Sequence, residues 1–244
     1  MEREYYGVLY ESGTCGAFIC AIVNNLIKTE KHNIIIEQNG SIHNKIGDFC
    51  YPHKIASTHI PFTTCLFNHF IPNPNYKKYV LLDHTSPDYD SLFEQFSDFR
   101  VIIIDMNASD YWLYVFMKIC KHKYFLTNLI KDKEYYISDN FEDYDTNTFK
   151  KIFDDLCLLD NRFFEPKTFI TDSLYEKYND KIVKLNFSEI IFDSNKTLKL
   201  LESITKANAC EITYKNYNLY IDKQLELFDR YIPFMNCRQK LQKC

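Results

Sequence analysis

The chain has 244 residues, with 29 Lys plus Arg against 33 Asp plus Glu, and the resulting net charge of −4 argues against a nucleic-acid binder built on a broad basic face. Hydrophobic residues make up 46% and charged residues 25%, which is enough apolar content to bury a core and excludes a disordered chain. Nowhere do about 18 apolar residues run together, so no membrane-spanning helix is expected.

The charged start, Met1-Glu2-Arg3-Glu4, leads into an apolar stretch that fits neither a secretory signal nor a transit peptide. A single α/β domain over residues 1–244 and a cytoplasmic location are expected. Nine cysteines, scattered rather than clustered in loops, read as reduced thiols.

Tyr5 to Tyr10 has the β-rich content of a buried strand, and Ala17 to Ile27 the length and apolar density of a buried helix. Between them stands Ser12-Gly13-Thr14-Cys15-Gly16. All five glycines of the chain fall in the first 47 residues, and two of them are in this bend. A strand–glycine bend–helix unit leaves backbone N–H groups at the positive end of a helix dipole, where an anion can approach closely. The spacing is neither of the two common phosphate-loop patterns, so Gly13 and Gly16 read either as an anion cradle or as the small residues of a tight turn.

His32 to Ile36 predicts a short strand, and residues 38–76 an irregular insertion that contains the breaker Ile71-Pro72-Asn73-Pro74. Tyr79 to His84 reads as a buried strand ending in a polar pair, and Pro87 opens a helix through Phe96. Arg100 to Asp105 is the clearest strand. Asn107 or Ser109 is placed to cap the helix that follows, which carries Tyr111, Leu113, Tyr114, Phe116, Met117 and Cys120. Residues 132–146 read as an acidic solvated loop, and Phe149 to Leu158 has helical spacing. Lys181 to Phe187 alternates like a strand, Asn195 to Thr205 reads as an amphipathic helix, and a last helix is predicted over Leu219–Tyr231. Strands alternating with helices predict an α/β fold with a mostly parallel sheet flanked by helices. Ligands of such sheets bind at the carboxyl ends of the strands, where the bend, His84 and residues 105–110 would lie.

In this order the elements resemble the P-loop-type sulfotransferase superfamily. Ser12-Gly13-Thr14 is similar to the family's Ser-Gly-Thr segment. Phe187-Ser188-Glu189-Ile190 running on to Thr197-Leu198 resembles its late aromatic-x-Asp-Leu segment and the Thr-Leu helix after it. Two residues compete for the family's histidine. Thr58-His59-Ile60-Pro61 matches the usual words, but His84 ends a predicted strand with room for a helix and strand before Met106. His84 is therefore preferred, and His59 is second.

The resemblance implies a P-loop sulfotransferase-like fold and transfer of a sulfuryl group from 3′-phosphoadenosine 5′-phosphosulfate to a hydroxyl or amine, on a glycan or a small molecule. Histidine would be the base. Ser12, Gly13, Thr14, Cys15, Gly16 and Ala17 would cradle the donor's phosphosulfate, with Asn107, Ser109 and Asp110 completing the nucleotide site. No metal, nucleic acid or membrane is implied. Three positions depart from the pattern: Glu11 stands where a cation usually precedes the Ser-Gly-Thr segment, Met106 where an arginine contacts the 3′-phosphate, and Tyr114 where a serine does. Arg100, Lys118 and Lys121 are the available substitutes. The alternative is a non-catalytic descendant of the same fold, a binding or structural protein.

Two other chemistries are written in the residue types. Cys50-x-x-His53 and Cys65-x-x-x-His69 have the spacing of structural zinc ligands. Cys15 at a helix N-terminus, paired with His84, has the makings of a thiol nucleophile. Asp88, Asp90, Asp154 and Asp155 read as solvated surface rather than as hydrolytic carboxylates. The 39 Tyr and Phe residues read as core, since no basic groove accompanies them. Abundant Ile, Lys, Asn, Tyr and Phe with few Gly and Pro point to an A/T-rich genome, of a parasite, a bacterium or a large virus; a viral protein would work in the host cytoplasm or the virion.

Overall fold

The computed structural model describes residues 4–10, 14–27, 33–36, 40, 42, 78–83, 93–94, 98–107, 110–111, 113–114, 116–117, 147, 151 and 171–239. Its described strands form one sheet, β1 (Glu4–Leu9), β2 (Lys78–Asp83), β3 (Phe99–Asp105) and β4 (Ile182–Asn186), in the spatial order β2-β1-β3-β4. Every pairing is parallel, with Leu9 level with Asp83 on one side and Ile103 on the other, and Asp105 level with Asn186. This is the expected α/β class.

The physical reason lies in β3. Val101, Ile102, Ile103 and Ile104 are all buried, so both faces of the sheet are covered, as a parallel sheet requires. Helix α1 (Gly16–Ile27) returns the chain from β1 and is buried on nearly every side, including Phe18, Ile19, Ile22, Val23 and Leu26. Each such side chain contributes about 1.5–3 kcal/mol on leaving water, which makes α1 the centre of the core. The helical residues 110, 111, 113, 114, 116 and 117 add buried Leu113, Tyr114, Phe116 and Met117.

After a short helix, α2 (Asp172–Lys177), β4 passes directly into α3 (Phe187–Phe192). Asn186 ends the strand and caps α3, its side chain accepting from the Ser188 N–H at 3.0 Å. One residue, Asp193, separates α3 from α4 (Ser194–Thr205), and its carboxylate accepts from the Lys196 N–H at 3.0 Å. Strong N-cap side chains at both junctions explain why the chain turns there without a loop. Lys206 closes α4 in the left-handed conformation, φ 51°. The last helix, α5 (Glu211–Gln239), lies against α1 through a buried stripe that contains Asn216, Tyr217, Tyr220, Gln224, Leu227 and Phe228.

Three expectations need correction. Residues 33–36 are not a strand. Ile34 instead donates its N–H to the Asn216 side chain of α5 at 3.1 Å, a bond that holds the segment on a helix rather than a sheet edge. The last helix begins at Glu211, eight residues before the predicted start, because its early buried positions are polar or aromatic: Thr213, Asn216 and Tyr217. The strand expected to run through Phe187 ends at Asn186, and Phe187 opens a helix of its own, α3, while the amphipathic helix expected over Asn195–Thr205 forms over Ser194–Thr205. No described helix is long and apolar enough to cross a membrane.

Candidate functional site

The carboxyl ends of β1, β2 and β3 lie side by side, and β1 has neighbours on both sides. The chain leaves β1 for β2 on one side and later returns to β3 on the other, so the gap between β1 and β3 is the reversal point where open parallel sheets bind ligands. Of the predicted cradle, Thr14, Cys15, Gly16 and Ala17 stand at this point. Ser12 and Gly13 lie outside the described residues, as does Glu11.

Cys15 carries the unusual geometry. Its φ is 67°, a left-handed conformation that non-glycine residues rarely adopt. The Ile19 N–H reaches back to the Cys15 carbonyl at 3.0 Å and closes the first turn of α1. The N–H groups of Gly16, Ala17 and Phe18 therefore have no acceptor within the helix. A left-handed residue followed by a right-handed one turns successive N–H groups toward a common point, the arrangement that binds anions.

Side chains close in on the bend from two directions. Tyr10, the residue after β1, lays its ring on Gly16: a Cβ at that position would sit 2.0 Å from the ring's Cγ. Gly16 is thus explained by the ring, without any ligand. From the other direction comes α5, where the Tyr220 hydroxyl donates to Cys15 Sγ at 3.1 Å and the Tyr220 ring stacks on Phe18 with centroids 3.7 Å apart. Burial pushes the phenol of Tyr220 well above its ordinary range, and that of Tyr217 likewise. Thr14 is fully buried.

Across the gap, Asp105 ends β3 and its carboxylate accepts from the Met106 N–H at 3.0 Å. Asp110 is buried, with Oδ2 accepting from the Asn107 N–H at 3.3 Å and its own N–H bonded to the Asn107 carbonyl. Asn107 itself is exposed, and Ser109 lies outside the described residues. The capping pair is therefore Asn107 with Asp110. Met106 and Tyr114, which stand where the resemblance expects an arginine and a serine, are both core residues.

Arg100, expected as a substitute cation for the bend, lies far from it. It is the second residue of β3, five positions before Asp105, or roughly 16 Å away along the strand. Its guanidinium donates to the Tyr6 hydroxyl at 2.9 Å and to the Ile204 carbonyl at 3.3 Å, where it satisfies the end of α4 at the amino-terminal end of the strands. Lys118 and Lys121 lie outside the described residues. So do both base candidates, His84 and His59, although His84 directly follows the last residue of β2. The spaced quartet Cys50, His53, Cys65 and His69 lies outside them too. Among the described residues, no group of three or more His, Cys, Asp or Glu is placed to hold a metal ion.

Sequence reasoning missed the aromatic residues packed on the bend, Tyr10 and Tyr220, and Tyr217, which lies behind them against Phe18. The signal for the last two was the spacing Tyr217, Tyr220, Gln224, Leu227, one face of a helix interrupted by a single amide. Compared with family models and with curated protein sequences, the chain matches none.

Proposed function

We propose that the chain is a sulfotransferase-like protein whose bend at residues 12–17 holds the phosphosulfate of 3′-phosphoadenosine 5′-phosphosulfate, for transfer to a hydroxyl or amine acceptor. The observation that carries this reading is Cys15. A non-glycine residue is held at φ 67° where an inner strand of a parallel sheet turns into a helix buried on nearly every side, and the first N–H groups of that helix, which have no acceptor within it, follow.

The chemistry asks little covalent work of the protein. An acceptor oxygen or nitrogen forms a bond to sulfur as the sulfur–oxygen bond to the 5′-phosphate breaks, and adenosine 3′,5′-bisphosphate leaves. The N–H groups of the bend stabilise charge on the departing phosphate. A histidine takes the acceptor's proton; His84 is assigned this role ahead of His59, because it follows the end of β2 beside β1. Asn107, Ser109 and Asp110 form the opposite wall of the nucleotide site.

The second reading is a non-catalytic descendant that keeps the fold and has lost transfer. It is favoured by Met106, a core residue at the position of the expected arginine, and by Arg100, which is committed to α4 at the amino-terminal end of the strands. One pair of measurements separates the readings. At about 100 times its Kd, adenosine 3′,5′-bisphosphate stabilises a specific binder by about 2.7 kcal/mol, a rise in Tm of about 5–10 °C. A rise together with label transfer from a sulfur-labelled donor supports the enzyme. A rise without transfer to a panel of hydroxyl and amine acceptors supports the non-catalytic binder, and no rise at millimolar nucleotide removes the donor site.

A further inference from the structure

We propose that an exposed stripe of α5 is a self-association surface, on which a second copy of this chain packs its own α5 antiparallel. One face of α5 turns Asn216, Tyr217, Tyr220 and Gln224 into the core. A second stripe runs beside it, through Tyr214, Asn218, Ile221 and Leu225, at spacings of four, three and four residues. Two helices that seat their side chains in each other's surface use this alternation. Burial in the core does not account for it, because Tyr214 and Leu225 stay 42% and 38% exposed, Asn218 is exposed and Ile221 is half-buried. The apolar surface continues onto α3. There Phe192 is 56% exposed, and its ring lies 6.0 Å from that of Phe228, one turn beyond Leu225.

The charges that flank the stripe select a second copy as its occupant and set the direction. On the solvent side stand Lys215 and Asp222, both exposed and two turns apart. About 10 Å of helix separates them, too far for an ion pair within α5. Among the described residues neither is paired. In an antiparallel pair centred between Asn218 and Ile221, Lys215 of each copy comes beside Asp222 of the other, so two opposite-charge pairs close at once. In a parallel pair Lys215 would meet Lys215 and Asp222 would meet Asp222, which repel. The antiparallel register also brings each Tyr214 level with Leu225 of the other copy, on the side where Phe192 extends the apolar surface. It places the two Asn218 amides within one turn of each other, where a polar pair between helices fixes register.

Sedimentation equilibrium of the full chain over about 1–100 μM tests this, as a shift from 29.2 kDa toward twice that mass. The variants are Leu225→Ala, Lys215→Glu, Asp222→Lys and the double exchange of Lys215→Glu with Asp222→Lys, each checked for folding by thermal unfolding. All three positions are exposed, so Tm should stay near that of the wild type. Leu225→Ala removes an apolar contact from both copies by symmetry and should weaken the dimer about tenfold or more. Each single charge variant replaces two attractions by two repulsions and should weaken it roughly tenfold, while the double exchange should restore wild-type association. Should Leu225→Ala fail to fold, Tyr214→Ala removes the matching contact at the other end of the stripe and should show the same loss. A chain that stays at 29.2 kDa throughout overturns the proposal, and so does a dimer that the apolar variant leaves unchanged. A dimer that neither charge variant weakens, or that the double exchange fails to restore, overturns the antiparallel pairing and the proposal with it. The donor site is untouched by each of these outcomes, since no nucleotide enters the measurement.

Discussion

Replacing Gly16 by alanine asks what the glycine is for. The added Cβ would fall 2.0 Å from Tyr10 Cγ and 2.2 and 2.3 Å from the two Cδ atoms, so the ring must retreat by about 1.5 Å to reach ordinary contact near 3.5 Å. Tyr10 is only 3% exposed, so a retreat pushes into packed neighbours rather than into water. Overpacking of this kind costs about 1–3 kcal/mol, partly offset by the gain of about 0.5–1 kcal/mol when alanine replaces glycine in a helix. A net loss of about 1 kcal/mol is expected, read from urea unfolding by linear extrapolation, with a fall in Tm of about 2–4 °C. In a Tyr10→Ala background, destabilised on its own by about 3–5 kcal/mol, Gly16→Ala should stabilise by about 0.5–1 kcal/mol, a coupling of about 2 kcal/mol. A neutral Gly16→Ala in the wild-type chain, or the same cost in both backgrounds, refutes the assignment of this glycine to the ring.

Other predictions follow from the same packing. Folding raises the phenol pKa of Tyr217 and Tyr220 above the unfolded value of about 10, so their contribution is complete below pH about 10 and is lost as pH rises beyond it. Stability should fall by about 1.4 kcal/mol per pH unit for each phenol in that range, and Tyr217→Phe should reduce the slope by one such step in unfolding measured against pH. Arg100→Met should lose about 1–2 kcal/mol of stability, through the bonds to Tyr6 and Ile204, and leave nucleotide affinity unchanged. Asp193→Ala removes the cap of α4 and should cost about 1 kcal/mol by urea unfolding, whereas Asp193→Ser should restore most of it.

The sheet was legible because buried parallel strands read as short runs of β-branched and aromatic residues; Arg100 to Asp105 and Lys181 to Phe187 needed no tertiary information. Helix α1 was legible for a related reason, its apolar density. Ile34 to Ile36 has the same composition as a strand, and what decided against one was a hydrogen bond to Asn216, far along the chain and invisible in the local pattern. The start of α5 failed to read as core because its early buried stripe contains Thr213 and Asn216. At the site, the sequence pointed to the bend and to a cap at Asn107 or Ser109; the pairing of Asn107 with Asp110 came from the structure. It carried no sign that Cys15 is left-handed or that its thiol meets a tyrosine 205 residues away.

The most direct test of the nucleotide reading is a crystal structure of the chain grown with adenosine 3′,5′-bisphosphate. The 5′-phosphate should lie on the N–H groups of residues 13–17, beside the end of β3, with His84 or His59 facing the open side of that phosphate. Nucleotide density elsewhere on the chain, or a bend with Tyr10 and Tyr220 in place and no room for the phosphate, contradicts it.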